Sequence, residues 1–452
     1  MQRWGAVRLA LIGLLAGGSI VSGATLVAAR PHHPAQATLA VRIGPTTVPV
    51  GEPATLTSRL RPAKKGVRLV VQRRVSGHWV TQARPTTDAQ GRASYRVRTS
   101  AAGVQKLRVL RTSSHRTLRA TSRVVTLKVT ATSACIPRTP LVDPAADRAA
   151  RCLAARLDRW QSAGAMGIGQ QLNVSNAQYA APLDKLGRRS VGVVGLDLKE
   201  LVDSEGYAFP VRPLDYLSGL AQQGAVLSVS WHPDNPGTAA RYDDRSWTDL
   251  ESLVAPSDSA AKTRFWADFD AGMQLFSELQ DDGVAVVFRP LHEANGDWFW
   301  WGRPHATTYR QLWTAMQDRA AGLGVHNVLW AYSFNADTGT NTSAPVGLLP
   351  TMVDLAGMDS YSRVGDALST AGYAAVAAKV SRMAFTEVGP YQTSDATWDP
   401  AVVTRAARGL THPPLWSMFW VDDGTGIKQL SSLKRAPAWM DSCKGGFCTV
   451  GP

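Results

Sequence analysis

Acidic side chains are nearly absent from the front of this 452-residue chain. Residues 1–132 hold only Glu52 and Asp88 against 22 Lys and Arg, about +20 by count, whereas residues 133–452 hold 33 acids against 27 basic residues, about −6. The net charge of +14 is therefore an average over two unlike parts. A basic stretch of this size invites a nucleic-acid reading. No recognised nucleic-acid motif accompanies the charges, which alternate along strand-like runs of a chain that reads as exported, so no nucleic-acid partner is expected. A solvated spacer surface is the first reading, and attraction to anionic wall polymers or lipid headgroups the second. Cysteine is also scarce: Cys135, Cys152, Cys443 and Cys448. No His lies near either pair, their spacings do not fit a zinc finger, and the nine His are scattered without metal spacing. Neither metal nor cofactor is expected. Four cysteines suit an oxidising compartment. Local pairs are preferred, because Lys444-Gly445-Gly446-Phe447 can turn tightly between the last two; the rival pairing joins the two ends of the second domain.

Charge is missing again from Leu9 to Ala29, just after Arg3 and Arg8. This is the pattern of an export signal, with Ala35-Gln36-Ala37 as a small-residue cleavage site. At about 20 residues the run is also long enough to span a bilayer. Residues 1–37 therefore stand as a signal peptide or an uncleaved membrane anchor. In both cases the basic flank stays cytoplasmic, and the expected location is secreted or extracellular, with anchoring through this segment as the alternative.

The length suits two domains. Residues 38–131 read as all-β, with short alternating runs (Thr38–Ile43, Val67–Arg73, Ala93–Val97, Lys106–Leu110 and Val124–Val129) separated by turn clusters such as Asp88-Ala89-Gln90-Gly91. A basic immunoglobulin-like β-sandwich fits this spacing, and residues 132–150 read as a linker. From residue 151 to 452 the pattern changes to eight apolar runs: Gly164–Leu172, Val191–Leu198, Ala225–Trp231, Val284–Leu291, Val328–Phe334, Met352–Ser360, Arg382–Val388 and Pro414–Trp420. Helical spacing falls between several of them, over Ala261–Leu279, His305–Leu323 and Ala367–Val380, and Asp399-Pro400 is a good helix entry. The fold class expected is α/β, a (β/α)8 barrel behind the sandwich.

Such a barrel carries its site at the C-terminal strand ends. Those ends here hold Trp231-His232, His292-Glu293, Asn335, Asp359-Ser360-Tyr361, Glu387 and Trp420. Glu293 and Glu387 would face each other across the mouth. Two facing carboxylates are what glycosidic cleavage needs, one to protonate the departing oxygen and one to attack the anomeric carbon. Arg289 is placed to keep Glu387 ionised. Flat indoles can pack on the C–H faces of sugar rings, and His292, Asn295 and Tyr361 can supply hydrogen bonds. In the run Trp298-Phe299-Trp300-Trp301, strand-like alternation favours Trp298 as the ligand contact and puts Phe299 and Trp301 in the packing. Trp416, which faces the same side at even spacing, competes with Trp420 as the aromatic of the eighth run. Asp243, Asp244 and Asp249 read as a solvated loop run, and Asp422-Asp423 as another that can rim the cleft.

The stretch RPLHEANGDWFWWG, residues 289–302, resembles the signature of glycoside hydrolase family 26, a family best known for retaining endo-β-1,4-mannanases on a (β/α)8 barrel. The resemblance implies Glu293 as acid/base and, through Phe385-Thr386-Glu387-Val388-Gly389, Glu387 as nucleophile. It implies Arg289 and His292 as their partners, Trp298 as a sugar contact, Tyr361 as a hydrogen-bond donor to the nucleophile, His232 as a substrate-facing residue after the third strand, and Trp420 as the sugar platform. Asn335 joins them as a substrate-binding candidate. Two departures stand out: Ala294 replaces a common Met, and the fifth run, Trp330 to Asn335, ends less typically. The expected activity is endo-β-1,4-mannanase on a β-linked polysaccharide by a monomer. The alternatives are a β-1,3-1,4-glucanase, a β-1,3-xylanase, or a non-catalytic carbohydrate-binding wall protein.

Overall fold

Each of the eight apolar runs folds as one strand of a parallel barrel. The computed structural model describes residues 37–451 except 51–53, 76, 100–101, 113–118, 131–134, 175–178 and 337–338. Of the predicted leader, residues 1–37, all but the last lie outside the described residues, and among those described no helix is long and apolar enough to cross a membrane. The barrel strands, first to eighth, are Ala165–Gln171, Val193–Asp197, Val226–Trp231, Val286–Pro290, Val328–Asn335, Leu355–Ser362, Met383–Pro390 and Trp416–Phe419. They pair in sequence order, and the eighth closes on the first. Every strand is buried on both faces, which explains why the runs are almost continuously apolar.

The side chains divide into two layers. Val193, Val226, Val287, Leu329, Ala384 and Met418 meet on the barrel axis, and the helix Arg148–Ser162 closes the floor with Ala150, Leu153, Ala154 and Leu157 in the same cluster. Outward residues such as Phe288, Trp330 and Phe385 pack against the helices. Helices Ala260–Asp281 and Ala306–Gly322 form where helical spacing predicts them. The predicted helix over Ala367–Val380 shrinks to Tyr373–Ala377, because Gly372 takes a left-handed φ of 80° and interrupts it. A short strand unseen in the sequence, Phe447–Thr449, pairs antiparallel with the start of the first barrel strand. The disulfides are the local ones, Cys135–Cys152 and Cys443–Cys448, the second closing a turn in which Gly445 and Gly446 have positive φ.

Ahead of the barrel, two sheets share one apolar core. One is antiparallel, Thr38–Gly44, Ala54–Arg61 and Arg92–Val97; the other runs in the order Thr47–Pro49, Val125–Thr130, Gly103–Arg111, Val70–Val75 and His78–Ala83. The segment read as a linker, residues 132–150, packs on the barrel from residue 135 onward. The Val142 amide donates to Asp354 at 2.8 Å, Asp143 bonds His326 at 2.8 Å, and the floor helix begins at Arg148.

Candidate active site

Strict alternation along the seventh barrel strand would turn Glu387 away from the axis, because Ala384 and Thr386 already face inward. The strand escapes this by a bulge. Met358 of the sixth strand pairs with Phe385, but its neighbour Asp359 pairs with Glu387, leaving Thr386 as the extra residue. Thr386 and Glu387 therefore both reach the axis. Thr386 Oγ1 donates to Asp359 Oδ1 at 2.6 Å, and Glu387 bonds the Arg289 guanidinium.

Glu293 arrives by another local distortion. Leu291 and Glu293 have φ of 47° and 53°, a region costly for side chains with a Cβ and concentrated at functional sites. The conformation is held by Glu293 N donating to Ser333 O and Gly296 N donating to Glu293 O, both at 2.9 Å. Gly296 is required by close approach: a Cβ there would lie 2.2 Å from the Trp298 ring. That clearance lets Trp298 Nε1 donate to Glu293 Oε2 at 2.6 Å, while Asn335 Nδ2 donates to Oε1 at 2.8 Å.

The two carboxyls line one cleft of about 680 Å3 in different electrostatic settings. Glu293 receives only neutral donors, and burial, reinforced by the charges of Asp359 and Glu387, pushes its carboxyl well above the usual range. Glu387 sits in an ion pair with Arg289, which also bonds Asp359 at 2.9 Å, all three buried. Tyr361 OH donates to Glu387 Oε2 at 2.8 Å; burial and the nearby carboxylates raise its pKa, so it remains a donor. His292 Nε2 lies 3.5 Å from Glu387 Oε1. Burial, helped by the Arg289 charge, holds this imidazole well below its ordinary pKa, so the contact joins a neutral ring to the carboxylate. His292, Asp359 and Glu387 bring ligand-type atoms within 4.8 Å of one another. The cation among them is Arg289, whose guanidinium bonds both carboxylates.

The structure brings the sequence-predicted residues together. Glu293, Glu387, His292, His232, Trp298, Tyr361, Asn335 and Trp420 all line the cleft, and Arg289 lies beneath it at 2% exposure. His232 Nδ1 donates to Asp197 Oδ2 at 2.7 Å, which leaves Nε2 for the cleft. Trp416 is buried on the barrel axis, so of these two only Trp420 lines the cleft. Two expectations need correction. Phe299 lines the cleft instead of packing beneath it, because residues 291–302 form turns and have no strand alternation. The consecutive Trp300 and Trp301 are both buried, Nε1 of each bonded to a backbone carbonyl. Asn295 is no sugar ligand: it is fully buried, with Nδ2 bonding the Asn335 and Ser343 carbonyls and Oδ1 accepting the Asn335 amide.

Sequence reasoning gave no role to Asp359 or Asp197, and passed over Lys428, which lines the cleft and pairs with Asp423 at 2.6 Å. Asp359 and Asp197 each had a signal, a lone acid at the end of an apolar run.

A model of the family described as glycosyl hydrolase family 26 matches residues 208–436. A mannan endo-1,4-beta-mannosidase of Bacillus subtilis (strain 168) is 29% identical over 212 residues, 45% of this chain and 57% of that protein. One of Bifidobacterium adolescentis is 33% identical over 146 residues, 31% of this chain and 14% of that protein. The chain thus spans little more than half the length of the first relative. Among solved structures, that of Bacillus subtilis mannanase man26 superposes with a TM-score of 0.55 at 22% identity, covering 66% of this chain and 92% of the other. At that identity the likeness is one of fold.

Proposed function

This chain belongs to glycosyl hydrolase family 26, and from that premise we propose that it hydrolyses internal β-1,4 links of mannan with retention of anomeric configuration. One observation carries the reading: a proton-holding carboxyl, Glu293, and an ion-paired carboxylate, Glu387, line the same cleft. Glu387 attacks the anomeric carbon while Glu293 gives its proton to the leaving oxygen. A water molecule then enters, Glu293 takes its proton, and the glycosyl ester to Glu387 breaks. Tyr361 and Arg289 fix the two Glu387 oxygens, while Trp298 and Asn335 fix those of Glu293. Trp298, Phe299 and Trp420 offer ring faces to the sugars. The relatives' named activity supports mannan as the substrate. Reducing-sugar release from mannan, glucomannan, barley β-glucan and β-1,3-xylan tests this choice: mannan and glucomannan should lead, and preference for either of the others overturns it.

Glu293→Gln tests the proton assignment. The native carboxyl keeps its proton above the unfolded value of 4.5. Above that pH the unfolded chain has released a proton that the native chain still holds, so this group lowers stability as pH rises. The glutamine variant should therefore melt higher than wild type at pH 7, with the gap closing towards pH 4, while turnover falls by about 10^2–10^4-fold. A melting difference that is the same at both pH values contradicts the assignment.

The immunoglobulin-like reading of residues 38–131 belongs to the same proposal. It is supported by the strand exchange between the two facing sheets: counting the short strand Ala120–Thr121 as the eighth, the first, third and sixth strands lie in one and the second, fourth, fifth, seventh, eighth and ninth in the other. Work outside the cytoplasm is supported by the two disulfides.

A further inference from the structure

The basic charge of the front unit is organised by strand register. On the outward face of its three-stranded sheet, residues fall into four cross-strand rows: Thr38 with Arg61; Ala40, Arg59 and Arg92; Arg42, Thr57 and Ser94; and Gly44, Thr55 and Arg96. Every row has at least one arginine and none has an acid. All five arginines are exposed. Arg59 and Arg92 are direct cross-strand neighbours, an arrangement that costs folding stability. Successive rows are about 7 Å apart along the strands, so the face offers a guanidinium at each step. Asp88, one of the two acids in this part of the chain, is occupied by its own turn, accepting the Arg92 amide at 2.7 Å.

The track does not stop at the sheet. Arg96 lines a cavity of about 350 Å3 at the junction with the barrel floor, where it meets Arg148 and Arg156 of the floor helix. Asp147, the carboxylate in that cavity, is engaged as the helix cap, accepting the Ala150 amide at 2.7 Å. The basic surface thus runs along a flat face and turns into a concave junction.

We propose that this track binds a flexible linear polymer carrying a phosphate at each repeat, and that it holds the chain on such a polymer independently of the cleft. Arginine forks suit phosphate oxygens. The concave end favours a bending chain over a bilayer, whose headgroup plane cannot follow the turn. The positions between the arginines are Thr, Ser, Ala and Gly, which provide no ring for stacking bases.

Inorganic polyphosphate is the probe, titrated into the full chain at two salt concentrations, with phosphatidylglycerol vesicles and oligo-dT as parallel arms. Polyphosphate should bind most tightly. Arg59→Ser/Arg92→Ser should weaken it at least about tenfold and reduce the slope of log affinity against log salt by about two, one per arginine lost. Arg96→Ser/Arg148→Ser should act similarly. Melting temperature should hold or rise in the first pair, and release of sugar from mannan should match wild type in both, which separates this result from the fate of the hydrolase reading. Unchanged polyphosphate binding in folded variants overturns the proposal, as does tighter binding of vesicles or oligo-dT by the wild-type chain.

Discussion

Glu387→Ala should abolish release of reducing sugar from mannan, by about 10^4-fold or more, in a chain that still folds. The size follows from the role. Without this carboxylate the cleft loses its nucleophile, since Glu293 is arranged as a proton carrier by burial and by two neutral donors, and Asp423 at the cleft wall is held by Lys428 at 2.6 Å. The fold should survive because Arg289 keeps a second partner in Asp359 at 2.9 Å and a third contact, Ser333 Oγ, at 3.4 Å. Added azide, small enough to occupy the vacated space, should restore cleavage of a substrate with a good leaving group and give the glycosyl azide of inverted configuration. Circular dichroism and melting like wild type, combined with lost turnover, are the expected pair of results. Retained turnover rejects the assignment of Glu387.

The second large effect is on stability. Arg289→Met should cost about 3–5 kcal/mol at neutral pH, because removing one partner of a buried ion pair leaves uncompensated charge. Here it leaves two acids: Asp359 has no exposed surface and Glu387 little. Burial already pushes the Asp359 carboxyl up to about 7 against the pull of Arg289. Losing that pull raises it further, so the native variant takes up a proton more readily than its unfolded chain does. Wild type already takes up this proton near 7, so the variant's stability deficit should shrink as pH falls from about 9 towards 7 and then level off. Arg289→Lys should be intermediate, since an ammonium supplies charge but lacks the fork that reaches both carboxylates. Chemical denaturation at about pH 7 and about pH 9 measures this. A deficit that is small, or that grows as pH falls from about 9 to about 7, contradicts the account of Arg289 as the cation of the buried cluster.

The barrel was legible because strands buried on both faces must be apolar almost throughout, and eight such runs stand out in the sequence. The site was legible because functional groups collect at the ends of those runs. What escaped depends on local departures from period. The Thr386 bulge has no signature in Phe385-Thr386-Glu387, yet it aims Glu387 inward. Turns between Leu291 and Gly302 broke the alternation used to sort the aromatic residues, so Phe299 was misplaced. Asp359 and Asp197 act through Arg289 and His232, and such pairings across strands become visible only once register is known. In the front unit, Ala54–Arg61 hides its alternation because Ser58 takes a core position, bonded to the Ala93 carbonyl at 3.1 Å. His78–Ala83 has no buried residue and so carries no apolar signal.

Proton NMR of the first sugar released from a mannooligosaccharide tests the central claim most directly. Attack by Glu387 followed by water must deliver the β-anomer first, with the α-anomer appearing only by later mutarotation. An α-anomer as the initial product contradicts a glycosyl ester on Glu387.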